Sequence, residues 1–148
     1  MNNPSYKLTR EPIGRKMSKI AKMYQTKLQD NLVHLDIDRS FYPLLLIATG
    51  NGITQQQLAD KLFCDKVQVV RIIDYLSSNG YVERIQSTCD KRKYELAVTE
   101  KANLVLGDID NALASASNVA FNSLSESQIE ELYGMLTIIE MNLLEDGK

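Results

Sequence analysis

Gln68 and Arg71 stand three residues apart, with Lys66 and Val67 just before them, and further along Lys91, Arg92 and Lys93 stand in a row. Glutamine and arginine carry forked donor and acceptor groups that match base edges in a DNA major groove. An outward valine such as Val67 can pack on a thymine methyl, and Lys66 can reach a phosphate or a base. A basic run at a loop tip can enter a minor groove or lie along phosphates, Arg92 in the groove and Lys91 and Lys93 on the backbone. Asp90, two residues before Arg92, is placed to orient the guanidinium by a charge-assisted pair. Each residue also has an ordinary use: Gln and Arg solvate helix surfaces, and charges are common at hairpin tips.

The elements that must hold these side chains can be read locally. Thr54 precedes Gln57 by three, a capping-box spacing that starts a helix at about residue 55, with Leu58, Ala59 and Leu62 inward. The amides of the Thr54, Gln55 and Gln56 turn can donate to a phosphate. Asp65 precedes Gln68 by three, so a second helix opens directly after Phe63-Cys64. Val69, Ile72, Ile73 and Leu76 form its inward side; Val67, Gln68, Arg71, Asp74, Tyr75 and Ser78 form the outward one. Asn79-Gly80 supplies a left-handed stop. Then YVERIQ, STCDK and RKYELAV read as strand, turn, strand, with Val82, Ile85, Tyr94, Leu96 and Val98 in partial alternation. Helix, turn, helix and hairpin make a winged helix-turn-helix.

Catalytic chemistry finds no footing here. His34 is the only histidine, and general acid–base or triad chemistry needs partners to which nothing in the sequence points. There is no glycine-rich phosphate loop. Cys64 and Cys89 lack any Cys-x-x-Cys or Cys/His grouping, so neither a metal nor another cofactor is expected. A structural disulfide is not expected in a reducing compartment. Cys64 at the helix-turn-helix corner and Cys89 beside the basic turn leave a redox switch open, against the plainer reading of two incidental thiols.

The stretch DKVQVVRIIDYLSSNGYVERIQSTCDKRKYELAVTEKA resembles the recognition helix and wing of the MarR (multiple antibiotic resistance regulator) family of bacterial transcription factors. That family's helix ends in Leu-x-x-x-Gly, followed by an apolar pair and Arg, then Asp-x-Arg in the wing, then Leu-Thr-x-x-Gly. Here these are Leu76 to Gly80, Tyr81-Val82 with Arg84, Asp90-Lys91-Arg92, and Val98-Thr99. The chain departs where the family often has small hydroxyl residues, carrying Val67, Gln68 and Val70, and Ala102 replaces a glycine. The family's peroxide sensors use a cysteine near the N-terminal helix, and none is there. The resemblance covers architecture from about Ile13 to Leu144, and sequence detail from about Thr54 to Ala102. It implies a ligand site for small aromatic or lipophilic effectors, which Met17, Tyr24, Tyr42 and Leu46 would line here unless they are ordinary core. It also implies that the N-terminal helix joins a dimer interface.

At 148 residues the chain is bounded to one compact domain overall, or one domain plus a helical extension, and its net charge is −2. Charge is uneven. Lys7, Arg10, Arg15, Lys16, Lys19, Lys22 and Lys27 face only Glu11 and Asp30 in residues 1–30, whereas residues 99–148 hold nine acids against Lys101 and Lys148. A locally positive surface with an acidic far end can orient an encounter with DNA. Residues 1–35 read as a loose arm over 1–8 and a helix from Pro12 to about Leu32–Leu35. Asp36-Ile37-Asp38 is a break. Residues 36–98 hold a buried helix over SFYPLLLIAT, a short strand at Ile53 and the winged unit. Residues 99–148 hold a helix capped by Thr99, with Ala102, Val105, Ile109, Ala112, Ala116 and Val119 inward, and a second one opened by Ser125 and Gln128. On that last helix Ile129, Leu132, Leu136, Ile139 and Leu143 make a heptad seam.

The expectation is a mainly α fold with a small β-hairpin wing: a winged helix-turn-helix with long N- and C-terminal dimerisation helices. So much helical apolar surface predicts a two-fold homodimer, the alternative being helices folded back on their own chain. The predicted partner is double-stranded DNA with a pseudo-palindromic operator, and the predicted role is a transcriptional regulator, not an enzyme. The alternative is a winged-helix protein-interaction module without DNA readout, which the nearly balanced charge of residues 54–98 would suit. No apolar run of roughly 18 residues predicts no membrane span, and MNNPSYKLTREP lacks an apolar signal segment, which predicts a cytoplasmic protein.

Overall fold

The computed structural model describes residues 9–37 and 39–147. The expected arm over residues 1–8, and Asp38 in the expected break, lie outside the described residues. Eight elements follow in order: α1 (Ile13–Leu32), α2 (Phe41–Thr49), α3 (Gln55–Leu62), α4 (Lys66–Ser78), β1 (Val82–Gln86), β2 (Tyr94–Val98), α5 (Glu100–Ala120) and α6 (Glu126–Asp146). They fall into two compact units, one reaching to Leu113 and the other starting at Ala114, so α5 begins in the first and ends in the second.

Three helices start where their capping boxes say. In α3 the Gln57 amide donates to Thr54 Oγ1 at 3.2 Å and the Thr54 amide to Gln57 Oε1 at 2.9 Å. In α4 the Gln68 amide donates to Asp65 Oδ1 at 2.8 Å and the Asp65 amide to Gln68 Oε1 at 3.3 Å. Ser125 and Gln128 repeat the arrangement in α6. Each box satisfies two amides that the first turn would otherwise leave unpaired. Pro12 precedes α1 with extended backbone, and its fixed φ suits a helix start. Asn51 and Gly52, both at positive φ, turn the chain after α2.

The core of the first unit is the inner side of the winged unit and the helices around it. Leu28 and Leu32 of α1, Leu44 and Ile47 of α2, Leu58 of α3, and Val69, Ile73 and Leu76 of α4 are buried. So are Ile37 in the break, Tyr81, Val82 and Leu96 of the hairpin, and Ala102, Ile109 and Ala112 of α5. Truncating one of these leucines to Ala costs about 2–5 kcal/mol.

Strands β1 and β2 pair antiparallel, with Val82 opposite Val98 and Gln86 opposite Tyr94. The strand expected at Ile53 is a minimal one: Leu96 donates to the Ile53 carbonyl at 2.8 Å, and Thr54 bridges Glu95. The expected inward alternation of the hairpin holds for Val82 and Leu96, but Ile85 and Tyr94 are 47% and 56% exposed. Ile85 is an odd step from Val82 and so faces the opposite side of the pleat. Tyr94 pairs at the open end, beside the turn.

In the second unit Phe121 meets Tyr133 edge to face, with centroids 6.2 Å apart. The 21-residue α6 contains no buried residue. Ile129, Leu132, Leu136 and Ile139 of its seam are half-buried, and Met135, Ile138, Met141, Leu143 and Leu144 are exposed.

Candidate nucleic-acid interface

The outer face of α4 is as the periodicity requires. Lys66, Val67, Gln68, Arg71, Asp74, Tyr75 and Ser78 are exposed, and Val69, Ile73 and Leu76 on the opposite side are buried. Val67, at 61% exposure, is an apolar side chain on an otherwise polar face. The Gln68 side chain has two calls on it, because its Oε1 already accepts from the Asp65 amide. That leaves the carboxamide NH2 to donate outward. Thr54's amide and hydroxyl are both used in their own capping box. The first-turn amides of α3 available to an anion are therefore those of Gln55 and Gln56.

The wing turn is closed by its own hydrogen bonds. Ser87 donates to the Lys93 carbonyl at 2.9 Å, Lys93 to the Asp90 carbonyl at 2.9 Å, and Gln86 Nε2 to the Lys91 carbonyl at 2.7 Å. Lys91, Arg92 and Lys93 all project into solvent. Asp90 does not do what its spacing to Arg92 implied. Its Oδ1 accepts from the Arg92 backbone amide at 3.0 Å, and no ion pair reaches the Arg92 guanidinium among the described residues. A short carboxylate two residues upstream meets the backbone of a tight turn before it can reach a long side chain. Asp90 shapes the turn and leaves the guanidinium free.

Three hydrogen bonds tie α4 to its surroundings, one to the wing and two to the segment that starts α5. Arg84 Nη2 donates to Asp74 Oδ1 at 2.8 Å, joining β1 to the outer face of α4. At the end of α4, Gly80 sits at φ +79°, a conformation that suits glycine. Its carbonyl accepts from Thr99 Oγ1 at 2.6 Å, and Lys101 Nζ donates to the Asn79 carbonyl at 2.6 Å. Lys101 also lies 4.4 Å from the centroid of the buried Tyr81 ring. A cation on the last carbonyls of a helix and over an aromatic face is favourable on both counts. The outward position of Asp74 was the one available signal for the Arg84 pair. Lys101 gave none.

The corner between α3 and α4 is unusual. Phe63 has φ +51° and ψ +45°, its amide donates to the Asp60 carbonyl, and the Cys64 amide donates to the Ala59 carbonyl. That is a helix C-terminal motif whose left-handed residue is usually glycine. A side chain there costs roughly 1–2 kcal/mol.

Also within the first unit is an open, largely apolar depression of about 690 Å³. Tyr24 and Tyr42 line it together with Leu28, Phe41, Leu62 and Ile72, and Lys22 and Arg39 line it too. Met17 and Leu46, grouped with the two tyrosines on sequence, are not among the lining residues. Cys64 does line it, and burial, then the Asp65 carboxylate, push its thiol pKa up. A thiol held protonated is a poor nucleophile. His34 Nε2 lies 3.5 Å from Asp108 Oδ2 in an exposed pair. No group of three or more metal-ligating side chains gathers among the described residues. Among the described residues no helix is long and apolar enough to cross a membrane.

Comparison with known proteins places this geometry. A family model described as MarR family matches residues 38–93. The chain is 29% identical over 100 residues to an HTH-type transcriptional regulator, BilQ, of Clostridioides difficile (strain CD3), covering 68% of each protein. The crystal structure of the transcriptional regulator SlyA matches with a TM-score of 0.84 at 25% identity, over 92% of this chain and 96% of that one. A Listeria monocytogenes structure, described as a MarR family transcriptional regulator complexed with 26mer DNA, matches with a TM-score of 0.84 at 25% identity, over 93% and 92%.

Proposed function

We propose that the chain is a MarR family winged helix-turn-helix transcriptional regulator, as its similarity to that family supports, and that it acts as a homodimer on a pseudo-palindromic DNA operator. The observation that carries the reading is the pairing of the exposed α4 face with a basic wing, tied by the Arg84–Asp74 bond. In this reading α4 lies in the major groove, with Gln68, Arg71 and Val67 toward base edges and Lys66 on phosphate or base. Arg92 enters the minor groove, with Lys91 and Lys93 on phosphates. The Gln55 and Gln56 amides, at the Thr54 turn, hold a backbone phosphate. The structural relative complexed with DNA supports this mode of use.

The dimer reading rests on α6. A 21-residue helix with no buried residue and an apolar seam is unsatisfied in one copy. In a two-fold dimer the two α4 helices would sit roughly 34–36 Å apart, one turn of DNA. The organisation we propose is a dimerisation helix in residues 1–35, a DNA-binding unit in 36–98 and dimerisation helices in 99–148. We place the protein in the cytoplasm, where its operator would be. The apolar depression beside Tyr24 and Tyr42 is the proposed seat of a small aromatic or lipophilic effector, which acts only by binding unequally to two spacings of the dimer.

Selection of bound sequences from random duplex DNA tests the reading, and a recovered palindrome at one-turn spacing is the expected result. Recovery of no preferred sequence, with binding that ignores salt, would instead favour the protein-interaction module, to which the exposed Val67 also lends itself.

A further inference from the structure

We propose that Phe63 is a DNA-contacting residue whose ring packs on the 5-methyl of a thymine at the edge of each half-site. The proposal rests on the DNA-binding reading of α4 and extends it to a residue outside that helix.

Nothing among the described residues accounts for a phenylalanine at this position. The backbone there is left-handed, at φ +51°, in a C-terminal motif that glycine serves best. The side chain gains no burial in exchange, since Phe63 is 87% exposed. It does not line the apolar depression, although Leu62 and Cys64 on either side of it do. Phe63 thus carries backbone strain and a large exposed apolar surface together, a combination that selection against aggregation disfavours.

Its place in the fold indicates what covers it. Phe63 sits two residues before Asp65, the N-cap of α4, and three before Lys66. The N-terminal end of a recognition helix is the part that enters the major groove. Exposed Val67 lies in the first turn of α4, so the corner and that turn offer two apolar side chains. In a major groove the one apolar group on base edges is the thymine methyl. Phe63 also lacks charge, so it contributes nothing to phosphate attraction. Its effect would fall on sequence preference.

The test uses the full chain and the duplex that the wild-type protein selects from random DNA. Phe63→Gly removes the ring and relieves the left-handed strain. The variant is expected to melt at the same temperature or a few degrees higher, and to bind the duplex at least about tenfold more weakly. The slope of log affinity against log salt should stay unchanged, because no ion pair is lost. Replacing thymines singly by deoxyuridine should reveal one position per half-site where wild-type affinity falls about fourfold, the effect of one methyl, and Phe63→Gly affinity does not change. Phe63→Asn, which also tolerates this backbone, should behave like Phe63→Gly. Equal affinity of Phe63→Gly and wild type, or absence of a thymine whose methyl matters only when Phe63 is present, overturns the proposal while leaving the DNA reading standing. A drop in melting temperature would make Phe63 a structural residue and overturn it too. Failure of the wild-type protein to select any duplex removes the DNA reading itself.

Discussion

Arg71 and Arg92 are the residues on which readout and affinity separate. Arg71 projects from the middle of the exposed α4 face, where a guanidinium can reach a base edge. Arg71→Ala should therefore lower preference for one base pair by about 1–3 kcal/mol; competition between cognate and random duplexes measures it, and an equal fall on both would make Arg71 a phosphate contact. Arg92 is free of Asp90, which holds only its backbone amide. Arg92→Ala should weaken binding and flatten its salt dependence, as titration at several salt concentrations would reveal; an unchanged slope would count against the wing. The thiols separate as well. Cys89 is exposed on the wing, whereas the Cys64 thiol is pushed up by burial and by Asp65. Around pH 8, below the raised Cys64 value, Cys64 is more fully protonated than an ordinary thiol. It should react with a disulfide reagent more slowly than Cys89, as a time course with single-cysteine variants would record.

At the scale of elements, what matters is the tie between α4 and the wing. The Asp74–Arg84 bond is short but largely exposed, so its contribution to stability is small, about 0–1 kcal/mol. Its contribution to geometry is larger, because it fixes where the wing tip stands relative to the recognition face. Asp74→Asn should leave the melting temperature nearly unchanged and weaken operator binding severalfold, seen as a thermal melt beside a binding isotherm. A large loss of stability with unaltered affinity per folded molecule would make the pair structural only. The ends of these elements were legible in the sequence because a capping box closes within four residues. Thr54 with Gln57, Asp65 with Gln68 and Ser125 with Gln128 need nothing from the rest of the chain. Ile85 was misread because it lies an odd step from Val82 within β1, so the pleat turns it to the opposite side.

At the scale of the whole molecule, the proposed dimer rests on apolar surface. Ile13, Ile20 and Met23 of α1, and Met135, Ile138, Met141, Leu143 and Leu144 of α6, are exposed, and exposed apolar surface of this extent is typical of interfaces. Leu136→Glu, in the half-buried seam of α6, should shift the protein toward monomer and lower operator affinity by at least tenfold, through loss of the second half-site. Sedimentation across a concentration range is the measurement. A Leu136→Glu dimer as tight as wild type would place the interface elsewhere.

The sequence by itself determined the order of elements, the starts of α3, α4 and α6, and the face of α4 that carries Lys66, Gln68 and Arg71. These follow from hydrogen bonds and periodicities that close within a few residues. Only the tertiary structure decided that Arg84 reaches Asp74, that Lys101 caps the end of α4, that Tyr24 and Tyr42 line a depression which Met17 and Leu46 do not, and that Phe63 stands strained and bare at the corner. Each of these depends on where separate elements pack or on a backbone angle that side-chain type alone does not announce, and neither is encoded in local spacing.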